Sequence, residues 1–219
     1  FDWYFFINSS CVDMGIQKGF SNISLLHHSV DPDIFYPMAN IDKETDICFV
    51  GNWSPKRQKV IEALLNVTDN IVIYGKKWVK KNLFNSSIKR RVNGKYIDGS
   101  ALVTLYNKSR IVLNITNWGF GEGKNRSGMN MRILEVPATG AFLLTDGSRD
   151  MEAVATQGKH MTVYESIEDC VTLAKYYLNN ASEREAIAKE GCLHVRANYT
   201  YNDVVNRIIA AYNNLTVEK

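Results

Sequence analysis

The sequence is poor in everything that would mark a metal protein, a disulfide scaffold or a membrane span. Its four cysteines, Cys11, Cys48, Cys170 and Cys192, are scattered over 219 residues with no CxxC pair. That spacing suggests neither a zinc site nor a disulfide framework and reads as free thiols in a reducing compartment. The four histidines, His27, His28, His160 and His194, show no metal-ligand spacing among themselves or with cysteine, so a metal hydrolase has little support. No apolar run approaches the ~20 residues needed to span a bilayer, and the opening FDWYFFI is too short and lacks the basic flank of a signal peptide. N-x-S/T sequons recur, but the one at Asn114 falls inside an apparent core strand, where a glycan has no room. These absences together lead us to expect a cytoplasmic protein. The chain also opens at Phe1, without Met and directly in a strand-like run, so residues upstream are expected to be missing.

Charge of one sign is lacking too. The net charge of +3, from 26 basic and 23 acidic residues, is too slight to argue for nucleic acid and leaves small anionic ligands open. With 45% hydrophobic and 22% charged residues the composition is that of an ordinary globular chain, long enough for one large domain or for one domain and a piece of another. Two nucleotide signatures are missing as well. The first regular strand is followed by GNWSPK rather than GxGxxG, which disfavours a hydride-transferring dinucleotide enzyme. The run GFGEGKN at 119–125 has the wrong glycine spacing for a P-loop, and Lys124 is followed by Asn instead of Ser or Thr.

What is present is regular alternation. An aromatic strand is predicted over 3–7, a helix capped by Asn8-Ser9-Ser10 over 11–18, and a strand over 23–26. The segment that follows, with two prolines, several acids and no periodicity, reads as a linker; the His27-His28 pair before it faces an interdomain cleft or forms a polar turn. Strands are then expected at 47–50, 71–74, 95–97, 111–115, 141–144 and 161–164. Helices open at Ser54-Pro55, Ser100 and Ser148, and capping pairs Ser166/Asp169, Ser182/Glu185 and Thr200/Asp203 open three more. A basic, irregular stretch covers 76–91. Short apolar strands alternating with amphipathic helices imply a Rossmann-like, doubly wound parallel α/β sheet, in which ligands sit beyond the carboxyl ends of the strands.

The stretch 125–146, NRSGMNMRILEVPATGAFLLTD, organises the chain. Asn125, Ser127 and Gly128 lead into a helix bearing Arg132 and Glu135; Pro137 should kink or end it, and Gly140 should stop it before a buried strand. A helix start holds phosphate well, and a carboxylate two turns on would reach a ribose hydroxyl at fixed distance. The same residues also fit a surface helix with solvated charges. Arg132 either supports the anion or pairs with Glu135 at i, i+3. Lys56 and Arg57 open the helix after Gly51, where a cation opposes the dipole unless an anion sits there.

The segments DICFVGNWSPKRQKVIEAL, IVIYGKKW, LYNKSRIVLNI, NMRILEVPATGAFLLTD and YYLNNASEREAIAKEGCLHVRANYTY, in this order and spacing, closely resemble the carboxyl-terminal half of the CgeB-like (spore-maturation-protein-like) glycosyltransferases, GT-B enzymes related to the family-4 group. The opening WYFFINSS…SVDPDIFYP resembles the last β-α-β unit and hinge of a GT-B acceptor domain. The resemblance implies residues 1–40 as the end of the acceptor-side domain and hinge, 41–199 as a nucleotide-sugar-binding domain and 200–219 as a carboxyl-terminal helix. It implies transfer of a sugar from a nucleotide diphosphate sugar, without metal or cofactor, to a glycan, protein or lipid acceptor. Carried over by position, Glu135 matches the second Glu of the family's E-x7-E motif, which holds the donor ribose. Gly128, Met129 and Asn130 match the helix start facing the diphosphate, Gly51 and Asn52 the turn beneath the phosphates, Arg57 a phosphate cation, and Tyr96, Ile97 and Asp98 the strand end beside the base. The first Glu of the motif is replaced by Ser127. That departure keeps two rivals open: a non-catalytic nucleotide-sugar-binding module of the same fold, and a nucleotide-sugar epimerase.

Overall fold

The computed structural model of the protein describes residues 3–117 and 127–217. The chain opens with strand β1 (Tyr4–Phe6), helix α1 (Ser9–Gln17) and strand β2 (Ile23–Leu25), a parallel pair with Tyr4 beside Ile23. Asn8 caps α1 by accepting the Ser10 amide through its side chain. The segment predicted as a linker is laced to the rest. Arg196 donates to the carbonyls of Pro32 and Phe35, Asn107 holds Tyr36 and Met38, and Val30 bridges to Thr200.

Six parallel strands follow: β3 (Thr45–Val50), β4 (Ile71–Tyr74), β5 (Val92–Gly94), β6 (Ser109–Asn114), β7 (Leu143–Asp146) and β8 (Thr162–Tyr164). Their spatial order β5-β4-β3-β6-β7-β8 reverses direction between β3 and β6, which is the switch point of a doubly wound sheet and opens a crevice beyond the carboxyl ends of those two strands. The intervening helices are α2 (Pro55–Leu64), two short turns α3 (Trp78–Lys81) and α4 (Ser86–Lys89), then α5 (Gly99–Lys108), α6 (Arg132–Ala138) and α7 (Arg149–Val154). Three longer ones, α8 (Ile167–Asn179), α9 (Ala181–Asn198) and α10 (Tyr201–Val217), finish the described chain.

The strand period of two divides the core. Ile47, Phe49, Ile111 and Leu113 pack on one face with Val60, Ile61 and Leu64 of α2 and Cys170 and Ala174 of α8. Cys48, Val112 and Leu143 pack on the other with Tyr106 of α5, Ile133 and Leu134 of α6 and Met151 of α7.

Three expectations need correction. The strand expected at 95–97 lies at Val92–Gly94, because Gly94 presents its carbonyl to the Gly75 amide while 95–98 form the loop into α5. The capping pair expected at Ser182 is displaced: α9 begins at Ala181, straight after Asn180 closes α8. Buried Arg184 donates to the Tyr177 carbonyl across that junction and pulls the helix start forward. The central helix begins at Arg132 instead of near Gly128, since Gly128 has φ +96 and the Asn130 side chain accepts the Arg132 amide. Ser54, Ser148, Ser166 and Thr200 each take the Nth+3 amide as expected of caps. The run 119–125 and Arg126 lie outside the described residues.

Gly191 of α9 shows how tightly these layers approach, for a Cβ there would stand 2.4 Å from the His160 carbonyl oxygen and 3.4 Å from Pro137. Helix propensity alone favours Ala over Gly by ~1 kcal/mol, whereas overpacking against fixed backbone costs ~1–3 kcal/mol. Gly191→Ala should therefore lower stability by ~1–2 kcal/mol in urea denaturation, the clash outweighing the propensity gain.

Candidate functional site

At the crevice the turn after β3 is held from three sides. The Gly51 amide donates to Tyr74 O, the Trp78 indole donates to Gly51 O at 2.7 Å, and the Asn52 side chain accepts the Lys76 amide. A Cβ on Gly75, at φ +152, would fall 1.9 Å from the Gly51 oxygen, so only glycine lets the two turns lie together. Arg57, 8% exposed, reaches across from the first turn of α2. Its Nε and Nη2 donate to Ile115 O at 3.0 and 2.9 Å, and Nη1 donates to Asn52 O at 2.8 Å. The guanidinium thus ties the turn after β3 to the end of β6 and spends most of its directed hydrogen bonds on backbone. Burial and the nearby Arg132 charge lower its pKa.

Beside it a polar cluster fills the ends of β6 and β7. Asn114, fully buried, donates to Thr145 Oγ1 at 2.9 Å and accepts from Asn130 Nδ2 at 2.9 Å and from Arg132 Nη1 at 2.6 Å. Asp146 accepts the Thr116 amide and hydroxyl and pairs with Lys56 Nζ at 2.6 Å. Arg132 therefore turns to Asn114, and no Arg132–Glu135 ion pair forms among the described residues. The Glu135 side chain, one turn along α6, makes no hydrogen bond or ion pair with any described residue, while its amide donates to Met131 O. Burial raises the carboxyl pKa, the Arg132 charge opposing the rise.

The Gly128–Asn130 segment is committed elsewhere in part. The Gly128 amide donates to Asp150 Oδ2, which also accepts the Ser9 amide at 3.1 Å, and Ser148 Oγ donates to Gly128 O. The Ser127 hydroxyl donates to Asn8 Oδ1. Met129 is buried in the core and Asn130 serves Asn114. His27 lies close enough to Asp150 for that charge to oppose the lowering of its pKa by burial. The structure thus brings Gly51, Asn52, Arg57, Asn130 and Arg132 to one crevice, with Glu135 on the same short helix. Tyr96, Ile97 and Asp98 stand apart at the sheet edge, beyond β5, with Tyr96 73% exposed and its pKa raised by the neighbouring Asp98 carboxylate.

Asn114, Thr116, Asp146 and Asp150 belong to this cluster although the sequence reading gave none of them a role of its own, placing Thr116 and Asp146 only at the carboxyl ends of strands. Asn114 carried a usable signal, a polar residue inside the apolar run IVLNI, and so did Asp146 at the carboxyl end of FLLTD. Among the described residues no three His, Cys, Asp or Glu side chains are grouped to hold a metal ion, and no helix is long and apolar enough to cross a membrane. The four cysteines are unbridged.

Against known proteins, a family model described as glycosyl transferase-like matches residues 56–210. No curated protein matches. Among solved structures, the chain is similar to Anabaena HepE in complex with UDP, with a TM-score of 0.76 at 10% identity over 97% of this chain and 64% of that one. A glycosyltransferase from Rickettsia africae gives 0.73 at 14% identity, covering 98% of this chain and 64% of that one. Sucrose-phosphate synthase from Thermosynechococcus elongatus gives 0.70 at 13% identity, covering 95% of this chain and 57% of that one. The chain thus spans about three-fifths of these structures. A reversed parallel sheet with a cationic crevice at its switch point, joined to a family match over most of its length, makes this chain a member of the glycosyl transferase-like family with the GT-B fold.

Proposed function

We propose that this chain is the donor-binding part of a glycosyltransferase that moves a hexosyl group from a nucleotide diphosphate sugar to a glycan, protein or lipid acceptor. In this reading residues 1–40 close the acceptor side and its hinge, 41–199 hold the donor and 200–219 form the closing helix. The segments quoted above support placing it in the CgeB-like group. The observation that carries the proposal is Glu135, a half-buried carboxylate on the same short helix as Arg132 whose side chain forms no hydrogen bond or ion pair among the described residues and whose ionisation burial disfavours. A half-buried carboxylate with no hydrogen-bond donor of its own is a poor structural element and a good receptor for a ligand hydroxyl. HepE has been crystallised with UDP and with UDP-glucose, which supports a uridine diphosphate sugar as the first donor to test.

Departure of a nucleoside diphosphate concentrates negative charge on the leaving group. Fixed cations and dipoles stabilise it when they are positioned beforehand. Arg132 and Lys56 supply the charge here, with no metal or cofactor called for, while Arg57 fixes the Gly51-Asn52 turn on which the phosphates rest. A diphosphate at Gly128 competes with the Asp150 carboxylate for that amide. Tyr96, Ile97 and Asp98 border the base only if it extends over the edge of the sheet.

A second reading, a binding module that no longer transfers sugar, is favoured by Ser127, which stands where the family has its first Glu and whose hydroxyl bonds to Asn8. Nucleotide release from a uridine diphosphate sugar in the presence of acceptor extracts separates the two.

Calorimetry on Glu135→Ala should show UDP affinity reduced by ~1.5–3 kcal/mol, the value of a hydrogen bond to a charged group; unchanged affinity removes the ribose role. Arg132→Met should weaken UDP binding by a similar amount and uridine binding much less. Stability should move the other way. Because burial raises the Glu135 carboxyl above its ordinary 4.5, ionising it costs folding free energy that is absent below 4.5, grows as pH rises and levels off above the raised value. Glu135→Gln should therefore raise the melting temperature of the nucleotide-free protein at neutral pH, with the gain vanishing as pH falls below 4.5.

A further inference from the structure

We infer that the segment joining β4 to β5 is a docking finger for an anionic membrane surface. Residues 76–91 carry seven of the chain's 26 basic residues and no acidic one, although the whole chain is nearly neutral. Arg90 and Arg91 are paired with Asp69. The five lysines Lys76, Lys77, Lys80, Lys81 and Lys89 are exposed and form no ion pair among the described residues. Between them the turn linking α3 to α4 lifts Phe84 fully into solvent, with Leu83 58% and Val79 40% exposed. Lys80, Lys81, Leu83, Phe84 and Ser86 line one shallow groove. Scattered apolar side chains on a surface need no explanation, but an aromatic and a leucine at the tip of a one-sign basic turn do.

Water gains nothing from this arrangement. A bilayer interface with anionic headgroups satisfies both halves, since the lysines meet the negative surface potential and Leu83 and Phe84 enter the acyl boundary. The base of the finger is rigid. Trp78 of α3 is completely buried, stacks edge-on against Phe49 at 5.9 Å and donates to Gly51 O, and the Lys81 ammonium lies 5.2 Å from the Trp53 ring. The finger is therefore pre-ordered, and docking it costs little conformational entropy. The same Trp78 ties it to the Gly51-Asn52 turn, which places the bilayer beside the carboxyl ends of the strands.

Vesicle cosedimentation tests this. The chain should pellet with phosphatidylcholine vesicles containing phosphatidylglycerol, not with phosphatidylcholine alone, and added salt should release it. Removing two charges with Lys80→Gln and Lys89→Gln should lower the partition coefficient on the order of twentyfold, and Phe84→Ser about tenfold. Both variants alter exposed side chains, so thermal midpoints should not move. Equal pelleting with neutral vesicles, no pelleting with either, or pelleting indifferent to both variants overturns the inference. None of these outcomes depends on whether the crevice binds a nucleotide.

Discussion

The buried guanidinium of Arg57 is the constraint on which the crevice depends. Just beyond the ends of β3 and β6, where the two strands no longer pair, the carbonyls of Asn52 and Ile115 lie outside the ladder. Unpaired buried carbonyls are costly. A neutral side chain would offer one or two donors; arginine offers five in a rigid fork, enough to serve both carbonyls at once. Desolvating the charge is expensive, and the Phe49 ring, 5.6 Å from the guanidinium carbon, offsets a little of it. The result is a crevice whose two walls are set at a fixed distance before any ligand arrives. That is the pre-organisation that charge stabilisation requires.

The remaining charges sort themselves around that clamp. Lys56 is answered by Asp146, which is itself pinned by Thr116, so a cation is held near the crevice with its geometry fixed from β7. Among the described residues the Arg132 side chain is hydrogen-bonded only by the neutral oxygen of Asn114, and the Glu135 carboxylate feels the Arg132 charge without a hydrogen bond or ion pair. An ion pair between these two, sterically open at i, i+3, would have neutralised both. Asn114 prevents it by drawing the guanidinium away, at the price of a polar side chain in the middle of a core strand. One uncommitted carboxylate and one incompletely answered cation on the same short helix are what a ligand with a hydroxyl and a phosphate would complete.

Local chemistry was legible in the sequence and distant pairing was not. Strand β4 and the caps at Ser54, Ser148, Ser166 and Thr200 followed from residues within a few positions of each other. β5 was displaced because its register depends on Gly94 meeting Gly75, and the start of α9 because Arg184 reaches back to Tyr177. For the site, the loop ends at Gly51-Asn52 and the Arg132–Glu135 helix were found from local signals. Arg57 was read as a ligand cation because its acceptor lies 58 positions away at Ile115, and nothing local distinguishes an arginine aimed at a phosphate from one aimed at a carbonyl. Asp150 was invisible for the same reason, its partners being Ser9 and Gly128.

Those long-range ties also join the two sheets. Asp150 holds the first amide of α1 and the Gly128 amide with one oxygen, and Asn8, the cap of that helix, accepts from Ser127. The small sheet is thus fastened to the same loop that borders the crevice. Arg149 adds bonds to Ser9 and Asp13 on the exposed side. A ligand that takes the Gly128 amide from Asp150 breaks the bridge by which that carboxylate joins the Gly128 segment to α1, while the bond to the Ser9 amide remains. An anion bound at the Gly128 amide would compete with Asp150 for that one N–H, and competition of that kind is reciprocal.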